Sequence, residues 1–185
     1  MNNKKKCNSN IIYDPSKWTK THYVQNSHNC YAYALNNVDK NIANTCKQIY
    51  SKKKTCVSLR PKPGRYNKYN IPSSKRLTCK GIQDSVFKDN ESVYKLNSNN
   101  EICKPNYYKI ALAVQPQKTY HFYRQDNDCS WSHKDGPKKP TQLDASNNRI
   151  SDPKFANRHY NHANYSDFCG YMCVPDNHHK KTNMI

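Results

Sequence analysis

Lys109-Ile-Ala-Leu-Ala-Val-Gln-Pro-Gln-Lys-Thr-Tyr-His-Phe-Tyr-Arg-Gln-Asp-Asn-Asp-Cys-Ser-Trp-Ser-His-Lys134 is the stretch around which the rest of the chain organises. Its first part, Lys109 to Val114, is a nearly unbroken apolar run of strand length bounded by a turn signal at Pro116, so it reads as a buried strand. Tyr120 to Gln125 reads as a second strand, Asp126-Asn127-Asp128 as a tight turn and Cys129 to Lys134 as a third strand. A three-residue loop over 126–128 would set Gln125 against Cys129, Tyr123 against Trp131 and His121 against His133. All six would share one face, because side chains alternate along a strand. Directly opposed residues hold their Cβ atoms about 4.5–5.5 Å apart, close enough for two imidazoles to hydrogen-bond. A two-residue loop would set His121 against Lys134 instead.

Working outward toward the N-terminus, Cys30, Tyr31, Ala34, Leu35 and Val38 recur at the three- and four-residue spacing of a helix stripe. Asn29 or Ser27 can cap that helix. Residues 40–58 are basic and commit to no element, Arg60-Pro-Lys-Pro-Gly-Arg65 is a loop, and Gly81 to Phe87 suggests a short helix. Toward the C-terminus, Gly136, Pro137 and Pro140 break the meander, Asp152-Pro153 makes a turn, and a last strand runs around Tyr171 to Val174. A helix followed by an antiparallel meander is an α+β arrangement. The expected organisation is a disordered basic arm over 1–15, one domain over 16–176 and a flexible basic tail over 177–185. We find no internal repeat.

The totals set bounds on this reading. At 185 residues the chain has the length of one domain, and a 35% hydrophobic share rich in Tyr and Cys suits a loop-rich fold. The Asn- and Lys-rich composition suits an AT-rich genome. Lys plus Arg number 31 against 13 Asp plus Glu, a net +18. Such a charge attracts polyanions, whether nucleic acid or an anionic surface, although scattered lysines also serve solubility alone. No apolar run approaches the roughly eighteen residues of a membrane-spanning helix. Lys4-Lys5-Lys6 is followed by no apolar stretch, so the expectation is cytoplasmic synthesis without a signal peptide. The nine cysteines are an odd number, so at least one thiol is free or pairs between chains.

Cys30 falls in the first turn of the expected helix, where backbone N–H groups and the helix dipole favour a thiolate. With His121 beside His133, the chain offers a nucleophile, a base and an orienting residue. Candidate oxyanion donors are the Cys30 backbone N–H and the side chains of Gln25 and Asn26. Asp126 and Asp128 read as turn residues, with orientation of the base as the alternative role. No cofactor is implied.

A cysteine at a helix start, a Pro-Gly loop, a strand opening with His121 and a second histidine at 133 together resemble the NlpC/P60 peptidases and the related CHAP amidases. The resemblance spans roughly residues 26–136 and implies a papain-like core. It also implies a cysteine hydrolase acting on a peptide or amide substrate, with Cys30 as nucleophile, His121 as base and His133 as orienter. Asn29-Cys30-Tyr31-Ala32 stands where those enzymes carry Asp-Cys-Ser-Gly, and Phe122 follows His121 in place of glycine. His121-Phe-Tyr-Arg-Gln-Asp, Trp131-Ser-His-Lys and Phe168-Cys-Gly-Tyr are also similar to proteins of bacteria and large DNA viruses. That likeness suggests packaging in a virus particle.

Two other readings stay open. Cys169 and Cys173, with His159, His162, His178 and His179 nearby, could hold zinc, or a disulfide could form between strand ends. The charge and the tyrosines also fit a non-enzymatic virion or nucleic-acid-associated protein.

Overall fold

The computed structural model describes residues 7–52, 54–66 and 77–176. Among these residues five α-helices precede the main sheet: α1 (Ser16–Thr19), α2 (His22–Ser27), α3 (Cys30–Ala34), α4 (Lys40–Tyr50) and α5 (Cys79–Asp89). Seven strands follow: β1 (Tyr94–Leu96), β2 (Tyr107–Gln115), β3 (Thr119–Gln125), β4 (Trp131–His133), β5 (His159–Tyr160), β6 (Ala163–Asn164) and β7 (Asp167–Pro175). The fold is α+β, with one five-stranded sheet in the order β1-β7-β2-β3-β4, every neighbouring pair antiparallel. Among the described residues no helix is long and apolar enough to cross a membrane.

The helices start where the sequence supplies caps. The Asn29 side chain accepts from Ala32 N at 3.2 Å, Asp39 accepts from Asn41 N and Ile42 N, and Thr78 accepts from Gly81 N. The stripe from Cys30 to Val38 does not stay helical to its end. Asn36 takes φ 51°, and the N–H groups of Asn36 and Asn37 return to Tyr33 O and Ala32 O, each at 3.0 Å. This left-handed C-cap closes α3 after one turn and leaves Val38 outside it. The basic stretch after Val38 forms α4, and the short helix expected at 81–87 extends to Cys79–Asp89.

The sheet is covered on both faces, as the unbroken burial of β2 requires. On one side Ile110, Leu112, Phe122, Met172 and Val174 pack against Cys30, Tyr31 and Ala34 of α3 and Ile82 and Val86 of α5. On the other, Ala111, Ala113, Tyr123, Trp131 and Tyr171 pack under Ile150, Ala163 and Tyr165 from the segments beyond the meander.

The hairpin expected at 126–128 forms one residue later. Tyr123 pairs with His133, Gln125 pairs with Trp131, and Asp126 N donates to Ser130 O at 2.9 Å, so the loop is Asn127 to Cys129. Cys129 adopts φ 63°, the left-handed position that closes a three-residue hairpin. It is also held by a disulfide to Cys7, which removes it from the strand. His121 therefore opposes position 135, and His133 is its diagonal neighbour on the same face.

That bridge also corrects the expected disordered arm. From Cys7 onward the segment is docked: Ile11 is buried in the core, its carbonyl accepts from Asn127 N at 2.8 Å, and Ser9 Oγ donates to Gln125 O at 2.8 Å. Residues 1–6 and the expected tail over 177–185 lie outside the described residues. Further disulfides join Cys46 to Cys56, Cys79 to Cys169 and Cys103 to Cys173. Cys169 and Cys173 are therefore half-cystines and not a zinc pair. No cluster of three or more metal-ligating side chains occurs among the described residues, and His178 and His179 fall outside them.

Candidate active site

Among the described residues, the β4 edge of β3 is paired at residues 123–125 alone, while the other edge of β4 bridges to Thr141 through His133. The first half of β3 thus has an open edge, and α3 brings Cys30 to it. The thiol donates to Tyr120 O at 4.0 Å, and the backbone N–H groups of Phe122 and Tyr31 favour its anion. Cys30 packs with the helical layer, whereas His121 points to the opposite face of the sheet, stacked on Tyr165 with ring centroids 5.0 Å apart. The two meet around the open edge, where both line a cleft of about 570 Å³. They are not hydrogen-bonded to each other at rest, the thiol being turned to the Tyr120 carbonyl.

His121 Nε2 lies 2.8 Å from His133 Nδ1, and His133 Nε2 lies 2.9 Å from Leu143 O. A carbonyl only accepts, so His133 carries its proton on Nε2 and, as a neutral ring, accepts at Nδ1. His121 must then donate from Nε2, which leaves a lone pair on its Nδ1. The chain Leu143–His133–His121 thereby fixes the tautomer of His121, the task assigned to an orienting residue.

Both rings are neutral at rest. Burial, reinforced by His133, holds His121 well below the usual imidazole range, and burial also lowers His133. Burial pushes the Cys30 thiol up to about 12 and outweighs the two backbone N–H groups that favour its anion. The expected thiolate at a helix start is therefore absent from the resting state. α3 is a helix of five residues, too short a dipole to offset removal of the sulfur from water.

The expected oxyanion side chains point elsewhere. Gln25 Nε2 donates to Pro137 O at 2.9 Å, and Asn26 Nδ2 donates to His22 O at 2.8 Å. Asp126 is buried and paired with Arg124, and Asp128 caps its own turn while bridging to Arg149, so neither approaches the histidines.

Two cations that sequence reading passed over shape the site. Lys134 is fully buried, and its Nζ donates to the carbonyls of Gln25 at 2.7 Å, His28 at 2.7 Å and Gly136 at 2.6 Å. It thus ties the approach to α3 to the end of β4, while burial, with repulsion from Arg60, draws its pKa down to about 7. Arg60 lines the cleft beside Cys30, its Nε donating to Asn26 O at 2.9 Å. The Pro-Gly loop was visible in the sequence; nothing local said that its arginine turns inward.

Comparison with known proteins adds one partial likeness. A stretch of 65 residues, 35% of this chain, is 46% identical to insoluble matrix shell protein 1 of Ruditapes philippinarum. The stretch covers 41% of that protein's length. No family model matches the chain, and no solved structure does.

Proposed function

We propose that the chain is a cysteine hydrolase of papain-like type that cleaves a peptide or amide bond. The observation that carries this reading is the hydrogen-bonded row Leu143–His133–His121, which leaves a basic Nδ1 on a histidine sharing a cleft with Cys30, the free cysteine among the described residues. At rest both partners are neutral. In the reaction the thiol turns from Tyr120 O to His121 Nδ1, which takes its proton as sulfur attacks the substrate carbonyl. The imidazolium returns that proton to the leaving amine as the C–N bond breaks. Water, deprotonated by the same nitrogen, then releases the acid and restores the thiol. His133 keeps Nδ1 facing the sulfur throughout.

The test is to incubate a proteome-derived peptide pool with the wild-type chain and with Cys30→Ala, and to map new termini by mass spectrometry. Termini made by the wild type and absent from both Cys30→Ala and His121→Ala support the reading; identical patterns from wild type and Cys30→Ala end it. Four disulfides among the described residues favour work in an oxidising compartment, where such bridges persist.

The partial identity to a matrix shell protein favours a second reading, a non-enzymatic, disulfide-stapled component of an insoluble matrix. It expects unchanged assembly, and no hydrolysis, in wild type and Cys30→Ala alike.

A further inference from the structure

We propose that the cleft binds an acidic peptide and that Arg60 reads a carboxylate beside the bond to be cut. The cleavage clause rests on the hydrolase reading above, and the recognition clause stands on binding alone.

Four cationic side chains, Arg60, Lys62, Lys118 and Lys138, line the cleft with Cys30 and His121, against one carboxylate, Asp135. That carboxylate is already engaged, by Lys138 at 2.9 Å and His162 at 3.1 Å. Arg60, Lys62 and Lys118 have no carboxylate partner among the described residues.

Arg60 is placed for more than solubility. It is partly buried, and its bond from Nε to Asn26 O fixes the guanidinium plane. Its Nη1 lies against the cleft wall at Gly136, 3.6 Å from where a Cβ would stand. The terminal nitrogens are left as a fork, which matches the two oxygens of a carboxylate. A cation already stripped of part of its water has paid that cost before a ligand arrives, so a carboxylate that joins it gains more than at an exposed lysine. Lys62 and Lys118 are exposed on the cleft rim and add attraction at longer range. The convergence of these charges on one concave site holding the thiol favours a small carboxylate over a nucleic acid, which is tracked by cations spread along a backbone.

The test uses the full chain as Cys30→Ala and fluorescein-labelled peptide pools, randomised except for one fixed Glu, Gln or Lys. Anisotropy titrations should show the Glu pool bound about tenfold tighter than the Gln pool, with the Lys pool weakest. Arg60→Gln should abolish the preference. Lys62→Gln combined with Lys118→Gln, at exposed positions whose side chains bond no other described residue, should halve it and steepen its loss with salt; this keeps the test alive should Arg60→Gln fold poorly. Equal affinity for the three pools, an undiminished preference in both variants, or tighter binding of a single-stranded oligonucleotide would overturn the proposal. Preference for the Glu pool without Cys30-dependent cleavage in the wild type would remove the hydrolase reading alone. Cleavage without charge preference would remove the recognition alone.

Discussion

The disulfide-tied regions of this molecule and its cleft are held by different chemistry. Away from the cleft, and in part within the core, covalent clips tie the N-terminal segment to the hairpin tip through Cys7–Cys129, α4 to the loop after it through Cys46–Cys56, and β7 to α5 and to the loop before β2 through Cys79–Cys169 and Cys103–Cys173. Around the cleft there is no such clip. Buried polar groups position the parts: Lys134 on three carbonyls, Arg124 on Asp126 and the end of α3, and His121 on His133. A part whose task is rigidity is usually as stable, or more so, with apolar groups in place of buried ions. The tied regions follow that economy and the cleft does not. The contrast also explains the one thiol: eight cysteines consume each other, and Cys30 is left reduced where a nucleophile would stand.

The contrast can be broken from either side. The largest stability loss is expected in the tied regions, where replacing Cys7 and Cys129 by serine releases a 122-residue separation and costs up to about 5 kcal/mol. Urea unfolding of that variant measures it. In the polar layer behind α3, Arg124→Met leaves Asp126 buried without its partner and should cost about 3–5 kcal/mol. The double change Arg124→Met with Asp126→Leu should recover much of that loss, which no disulfide variant would show. Removing Cys46–Cys56, with a separation of 10, should cost about 3 kcal/mol.

Acid should act on the polar layer and not on the clips. His28, His121 and His133 all have lowered pKa values in the folded chain, chiefly through burial. As pH falls through the unfolded value of about 6.5, the unfolded chain binds protons that the folded chain refuses, so stability falls. The midpoint of thermal unfolding should drop as pH falls below that value, and the drop should shrink in His28→Gln. The smallest stability change belongs to Cys30→Ala, about 1 kcal/mol, with turnover abolished.

Much of this plan was legible in the sequence, for physical reasons. β2, β3 and the α3 start announced themselves by apolar runs and an Asn cap, and the face shared by His121 and His133 followed from strand alternation. That face survived a loop displaced by one residue because diagonal neighbours remain on the same side. What stayed hidden depends on long-range partners. Nothing near Cys129 discloses its bridge to Cys7, nothing near Lys134 discloses the Gln25 and His28 carbonyls, and the burial that raises the Cys30 pKa comes from a whole layer.

That raised pKa gives a diagnostic without substrate. Alkylation of Cys30 by iodoacetamide should be slow at pH 6 and rise about tenfold per pH unit up to about 12, as the thiolate fraction grows. Fast labelling at pH 6 would mean a preformed thiolate.

The most direct measurement is the reaction of the folded chain with a Glu-containing peptide vinyl sulfone, followed by intact mass and peptide mapping. The expected result is a single adduct on Cys30 whose rate falls about 100-fold or more in His121→Ala, the size of a lost general base. An adduct forming equally fast without His121, or none at Cys30, would contradict the assignment of that thiol and that imidazole as one catalytic unit.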